Sequence, residues 1–237
     1  MISVLSDMMS YTFIVRAMIV GGLVALCSAL LGVSLVLKRY SMIGDGLSHV
    51  AFAALTIAVA MNVAPLYIST PIVTVAAIIL LRLSENSKIK GDSAIALIST
   101  VSIAIGVVVT ALTKGMNTDV YSYMFGSILA MSESDVYMSI ALSVVVIILF
   151  VFFYNKIFAV TFDESFAKAT GTRADAYNMI IAVLTAITIV VGMRIMGTML
   201  ISSLIIFPAL ISMRNFKTFK SVIICSAIVS VVCFLLG

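Results

Sequence analysis

"AMIVGGLVALCSALLGVSLVLKR", residues 17–39, decides what kind of molecule this is. Twenty-one consecutive residues carry no charge before Lys38 and Arg39 close the run. About 20 apolar residues cross the hydrocarbon core as a helix, the one local structure that pairs its own backbone groups where no water can. Gly21, Ala25 and Ala29 recur at four-residue spacing, which leaves one face small enough for a second helix to approach closely.

The same pattern repeats outward from this run. Of 237 residues, 63% are hydrophobic and 10% charged, against roughly 25% charged in a soluble domain. Spans are expected at 17–37, 46–62, 65–83, 94–112, 136–155, 176–193, 196–213 and 221–237. The fold class is therefore all-α, a polytopic transmembrane bundle of about eight spans forming one domain over 1–237. With residues 38–45 cytoplasmic and the spans alternating, the inner breaks hold Lys38, Arg39, Arg82, Lys88, Lys90, Lys156, Lys168, Arg173, Arg214, Lys217 and Lys220. The outer side holds Arg16, Lys114 and Arg194, so the positive-inside bias places the N-terminus outside the cell membrane and Gly237 on the same face. The N-terminus has no basic n-region or A-x-A-like site, so the first segment reads as a retained span. The net charge of +4 lies at the ends of apolar runs, without a basic face interleaved with aromatics, which excludes nucleic acid as a partner. Cys27, Cys225 and Cys233 lie within apolar segments and form no C-x-x-C, so they read as buried packing residues.

"MIGDGLSHVAFA", residues 42–53, holds the chain's single histidine, His49, four residues after Asp45. That spacing puts both on one helix face with Cβ atoms about 5–6 Å apart. A carboxylate with a neutral imidazole suits a borderline divalent ion such as zinc, manganese or ferrous iron. Two other readings stay open: Asp45 as the N-cap of the second span, and His49 as a donor to a neighbouring backbone carbonyl. Ionisable residues inside a membrane are functional candidates by default. Counted along the chain, Asp45 falls at the cytoplasmic start of its span, which is awkward for cargo arriving from outside. Either that span begins deep in the bundle, its flanking glycines allowing an irregular entry, or the site lies lower than a gate facing the outside should.

Other segments are polar or broken. In "TFDESFAKATGTRADA", residues 161–176, Phe162, Phe166 and Ala169 share a helical face, acids come early, Lys168 comes late, and Gly171 sits where a helix would stop. This predicts a short amphipathic cytoplasmic helix, docked in a partner's groove or lying at the lipid interface. Residues 113–136 hold the apolar "YMFGSILAM", too short to span, which suggests a re-entrant or surface helix over a pathway. Met193, Met196 and Met199 form a candidate soft-ligand stripe, although in a chain with 15 methionines ordinary packing is the much stronger explanation. Pro208 is expected to kink or break the seventh span.

No G-x-x-x-x-G-K-[ST], G-x-S-x-G or H-E-x-x-H occurs, so the chain has neither a Walker-type phosphate cradle nor the common hydrolase motifs. These absences leave open a transport subunit, a carrier driven by ion gradients, a membrane-embedded metal-dependent enzyme and a purely structural scaffold, with little soluble mass to host an enzyme.

Four stretches, "DGLSHVAFA" at 45–53, "FGSILAMS" at 125–132, "FDESFAKATG" at 162–171 and "MRIMGTMLISSLIIFPAL" at 193–210, resemble the zinc/manganese/iron permeases of ATP-binding-cassette importers, in the family's order and across essentially the whole chain. The resemblance implies that Asp45 and His49 coordinate the transported zinc, manganese or iron, with no permanently bound cofactor. It implies that Phe162, Asp163, Glu164, Phe166, Ala167 and Gly171 belong to a coupling helix docked on a separate cytoplasmic ATPase, through which alone ATP acts. Gly192, Gly197 and Pro208 fall to the pathway or its hinge. Two permease copies and an extracytoplasmic metal-binding protein are the other implied partners, in a bacterial-type cytoplasmic membrane. Members of that family usually continue for another span, so a final C-terminal span is expected to be missing from this chain. The stretch after Pro208, "ALISMR", is less alanine-rich than the family pattern.

Overall fold

The computed structural model describes residues 11–40, 42–86, 91–113, 126 and 133–236. Among them every regular element is a helix: α1 (Thr12–Leu37), α2 (Ile43–Ala60), α3 (Pro65–Asn86), α4 (Gly91–Leu112), α5 (Glu133–Phe152), α6 (Tyr154–Phe162), α7 (Glu164–Ala169), α8 (Ala174–Asn215) and α9 (Phe219–Leu236). Seven of these, all but α6 and α7, are long and apolar enough to cross a membrane. Of the eight expected segments, six correspond one to one with helices and two share α8.

α8 has 42 residues, which at 1.5 Å per residue is about 63 Å, twice the hydrocarbon thickness. It is divided at Gly197, whose φ of 76° and ψ of 172° lie outside the helical region. A Cβ built on Gly192 would lie 2.5 Å from Cδ1 of Ile201. Nine residues apart in a straight helix, these two would be separated by about 13 Å along the axis. The arms on either side of Gly197 therefore fold back on each other. The break falls there and not at Pro208, where the helix keeps helical dihedrals. Membrane helices tolerate an internal proline when neighbours re-satisfy the freed backbone.

α1, α2 and α8 form the centre, with α4, α5 and α9 largely open around them. The small face of α1 receives α9. Phe234 packs on Gly21, the Ser230 hydroxyl donates to the Ala25 carbonyl at 2.8 Å, and Ser226 reaches the Ala29 carbonyl at 3.5 Å. Several other buried hydroxyls donate within their own helices, as Thr185 does to the Ile181 carbonyl at 2.7 Å and Ser212 to the Pro208 carbonyl at 2.7 Å. This satisfies them without water.

One end of the bundle is tied by charge. Arg194, in the last turn before the bend, meets Asp135 at the start of α5 at 2.7 Å, with only 5% and 13% of the two side chains exposed. Arg16 of α1 pairs with Glu133 beside it at 2.8 Å. Gly126 (φ 80°) lies against the backbone of Ile195, Met196 and Gly197, where a Cβ would meet the Ile195 carbonyl oxygen at 2.5 Å. The expected helix over 113–136 otherwise falls outside the described residues, as does "FGSILAMS" apart from Gly126. The methionine stripe does not form: Met193 and Met196 are buried, whereas Met199, beyond the bend, is exposed.

Candidate functional site

α2 is closed off almost all round. From Ile43 to Ala58, every residue is buried except Asp45, His49 and Ile57. The two ionisable residues thus form a polar window at one end of an otherwise enclosed helix, their side chains 48% and 21% exposed. The Asp45 Oδ1 and His49 Nε2 atoms stand 3.7 Å apart, too far for a hydrogen bond. Ligand bonds of about 2.1 Å from each would span that gap at an angle of about 120°, so a single divalent ion fits between them with little movement. Ser48 is turned away, its hydroxyl donating to the Asp45 carbonyl at 2.7 Å. The Asp45 side chain makes no cap to α2, whose N-cap position is Met42. Among the described residues no cluster of three or more His, Cys, Asp or Glu could hold a metal.

The flanking glycines have a packing role. A Cβ on Gly46 would lie 2.6 Å from Ile95 of α4, and one on Gly44 would lie 3.3 Å from Ile205 in the second arm of α8. The Ile205 carbonyl also abuts Gly32 of α1, 2.0 Å from where its Cβ would be. These contacts fix the depth of the pair. Gly32 precedes Lys38 by six residues, about 9 Å, and Ile205 precedes Asn215 by ten, about 15 Å. α2 therefore starts well inside the bundle, and Asp45 lies deeper than the linear count of charges places it.

At the same end of the bundle, the chain leaves α5 through α6 and turns at Asp163, whose extended backbone (φ −147°) separates α6 from α7. The Asp163 carboxylate caps α7, accepting from the Phe166 amide at 2.9 Å. Gly171 (φ 81°) ends it, with the Gly171 amide donating to the Lys168 carbonyl and the Thr172 amide to the Ala167 carbonyl, a left-handed closure that favours glycine. The helix is shorter than the shared-face reading requires: Phe162 belongs to α6, and the residue α7 buries is Ala167, packed with Val160 and Ala174. Phe162 and Phe166 remain exposed, large apolar side chains on a surface that faces away from the core.

α7 is fastened by charge. The Glu164 carboxylate accepts from Lys38 at 3.2 Å, from Asn178 at 3.0 Å and from Lys168 at 3.0 Å. Lys38 Nζ also donates to Asn178 Oδ1, and Lys168 pairs with Asp175 at 2.9 Å. Burial alone would raise the Glu164 pKa; the donors Asn178, Lys168 and Lys38 outweigh it and hold the group down at about 2. Lys168 is shifted up by its bonds to Asp175 and Glu164. Sequence reasoning missed Lys38 and Asn178. Lys38 was legible only as a topology charge, whereas Asn178, an amide within an apolar run, was a visible signal.

The sequence-predicted residues thus form three groups. Asp45 and His49 sit together in the polar window. Asp163, Glu164, Ala167 and Gly171 build and anchor α7. Gly192 and Gly197 shape the bend of α8, from which Pro208 is remote.

Known proteins share this architecture. The manganese transport system membrane protein MntC of Halalkalibacterium halodurans is 26% identical over 203 residues, 85% of this chain and 69% of that protein. The high-affinity zinc uptake system membrane protein ZnuB of Haemophilus influenzae is 29% identical over 209 residues, 87% of this chain and 79% of that protein. The structure of PsaBC from Streptococcus pneumoniae, in complex with Fab, superposes with a TM-score of 0.86 at 27% identity, covering 98% of this chain and 84% of that one. Residues 10–237 match the ABC 3 transport family, and the chain belongs to it as a multi-pass membrane permease.

Proposed function

We propose that this chain is the permease of an ATP-driven importer of a divalent transition metal, zinc or manganese first and iron next, with Asp45 and His49 as ligands of the passing ion. One observation carries the assignment: the two ionisable residues are the only breaks in the buried run from Ile43 to Thr56 of α2, and their atoms are spaced for a shared ion. The names borne by the manganese and zinc transport relatives support the cargo class. Asp45 supplies charge. Neutral His49 adds preference for transition metals over calcium or magnesium, which favour oxygen-only shells. Two ligands bind an ion weakly enough to release it, as a carrier requires.

In this reading a separate cytoplasmic ATPase seats on α7, with Phe162 and Phe166 offered to its groove. A second permease copy lines the other side of the pathway, and an extracytoplasmic binding protein delivers the ion. The N-terminus lies outside, as the distribution of Lys and Arg favours.

The test is uptake of labelled zinc and manganese by cells expressing Asp45→Ala or His49→Ala at wild-type permease levels. Each variant is expected to lose at least tenfold in uptake. Uptake at the wild-type rate in both would remove the ligand assignment.

A further inference from the structure

We propose that Lys38 is a positioning residue that ties the coupling helix to the metal pair, so that movement of α7 is delivered to Asp45 through the α1–α2 turn. The inference rests on the transport reading above and concerns a residue outside the ion's path.

The geometry is continuous from one end to the other. α7 packs on α6 and α8 and reaches the end of α1 through the Glu164 carboxylate. Lys38, the C-cap residue of α1, meets that carboxylate with only 9% of its side chain exposed, and Asn178 of α8 bonds both partners. A lysine held this far from water, against a carboxylate and an amide, is not an ordinary surface ion pair, which would be worth little and yield easily to solvent. Removing Glu164 would leave the Lys38 charge in a poorly hydrated site, so Lys38 is held to follow the carboxylate when α7 moves.

From Lys38 onward the chain has little slack. The Lys38 amide donates to the Ser34 carbonyl at 3.1 Å, Arg39 to Val36 at 3.0 Å and Tyr40 to Leu35 at 2.9 Å, with Arg39 in the left-handed region (φ 62°). The Ile43 amide then donates to Tyr40 at 3.0 Å and Gly46 to Met42 at 3.1 Å, which brings the chain into the first turn of α2 and Asp45. Three of these bonds close the end of α1, the Ile43–Tyr40 bond crosses the turn, and the Gly46–Met42 bond opens the helix that carries the carboxylate. The other grip of α7, between Lys168 and Asp175, leads into α8 and involves exposed groups. The Lys38 route leads to the cargo site.

The experiment uses the permease assembled with its ATPase in proteoliposomes, reading manganese uptake and ATP hydrolysis together. The variants are Lys38→Met, Lys38→Arg, Glu164→Gln and, as reference, Asp45→Ala. Lys38→Met and Glu164→Gln are expected to lower the ions carried per ATP at least fivefold, and Lys38→Arg, which keeps charge and donors, to restore the ratio to within twofold of wild type. Glu164→Gln interrupts the same link from the other side and serves should Lys38→Met not assemble. An unchanged ratio in both, or uptake and hydrolysis falling in proportion as for simple loss of intact complex, would overturn the proposal. If Asp45→Ala abolishes uptake while Lys38→Met leaves the ratio intact, the link alone fails. If Asp45→Ala transports normally, the cargo-site reading itself fails.

Discussion

Glu164 shows how much one side chain can be asked to do at the edge of a membrane protein. It lies outside the spans, partly buried, and three donors hold its carboxylate ionised down to about pH 2. Because the folded group titrates below an ordinary glutamate, its contribution to stability is complete above about pH 4.5 and is lost as pH falls through 2. Thermal unfolding in detergent should therefore show wild type more stable than Glu164→Gln at pH 7, with the difference shrinking as pH drops from 4.5 to 2. A difference that stays constant across that window would mean the carboxylate gains nothing from its partners. In sequence Glu164 was an early acid on a short helix; its partners Lys38 and Asn178 are 126 and 14 residues away. Local pattern carries no information about such pairings. The Asp45–His49 pair was legible because both members lie on one helix.

At the scale of elements, the spanning helices were legible in number and place, their ends shifted by up to about five residues, because lipid demands long apolar runs and leaves the chain few alternatives. The small face of α1 likewise announced a close neighbour, and α9 occupies it. The break in α8 was harder to place: Pro208 looked the stronger disruptor, since proline removes a donor. Gly197 takes the role because the chain reverses there, and a φ of 76° with ψ of 172° is open to glycine and scarcely to anything else. Gly197→Ala should destabilise the protein by about 1–3 kcal/mol. Gly22→Ala, with nothing within 4 Å of its built Cβ, should be neutral or slightly stabilising, as alanine favours helix. Unfolding of the two variants in the same detergent checks the comparison; equal stability would mean the bend is not under glycine's control.

For the whole molecule, alternation of spans and the bias of Lys and Arg predict which faces water reaches from which side. In a background lacking Cys27, Cys225 and Cys233, a cysteine replacing the exposed Thr218 should react with an impermeant maleimide only from the cytoplasm, and one replacing the exposed Asn62 only from outside. The reverse pattern would invert the assigned topology. Topology was readable from composition, but depth was not: the level at which a helix begins depends on which neighbours its first turn meets, and here Gly44 and Gly46 let α2 start against Ile205 and Ile95. That depth has an electrical meaning. If the proposed reading of Asp45 holds, an ion entering from outside would cross part of the membrane's field before meeting it, and a divalent cation moving through half of a 100 mV potential, negative inside, would gain about 2.3 kcal/mol. In that reading the resting voltage of the cell would itself help to fill the site.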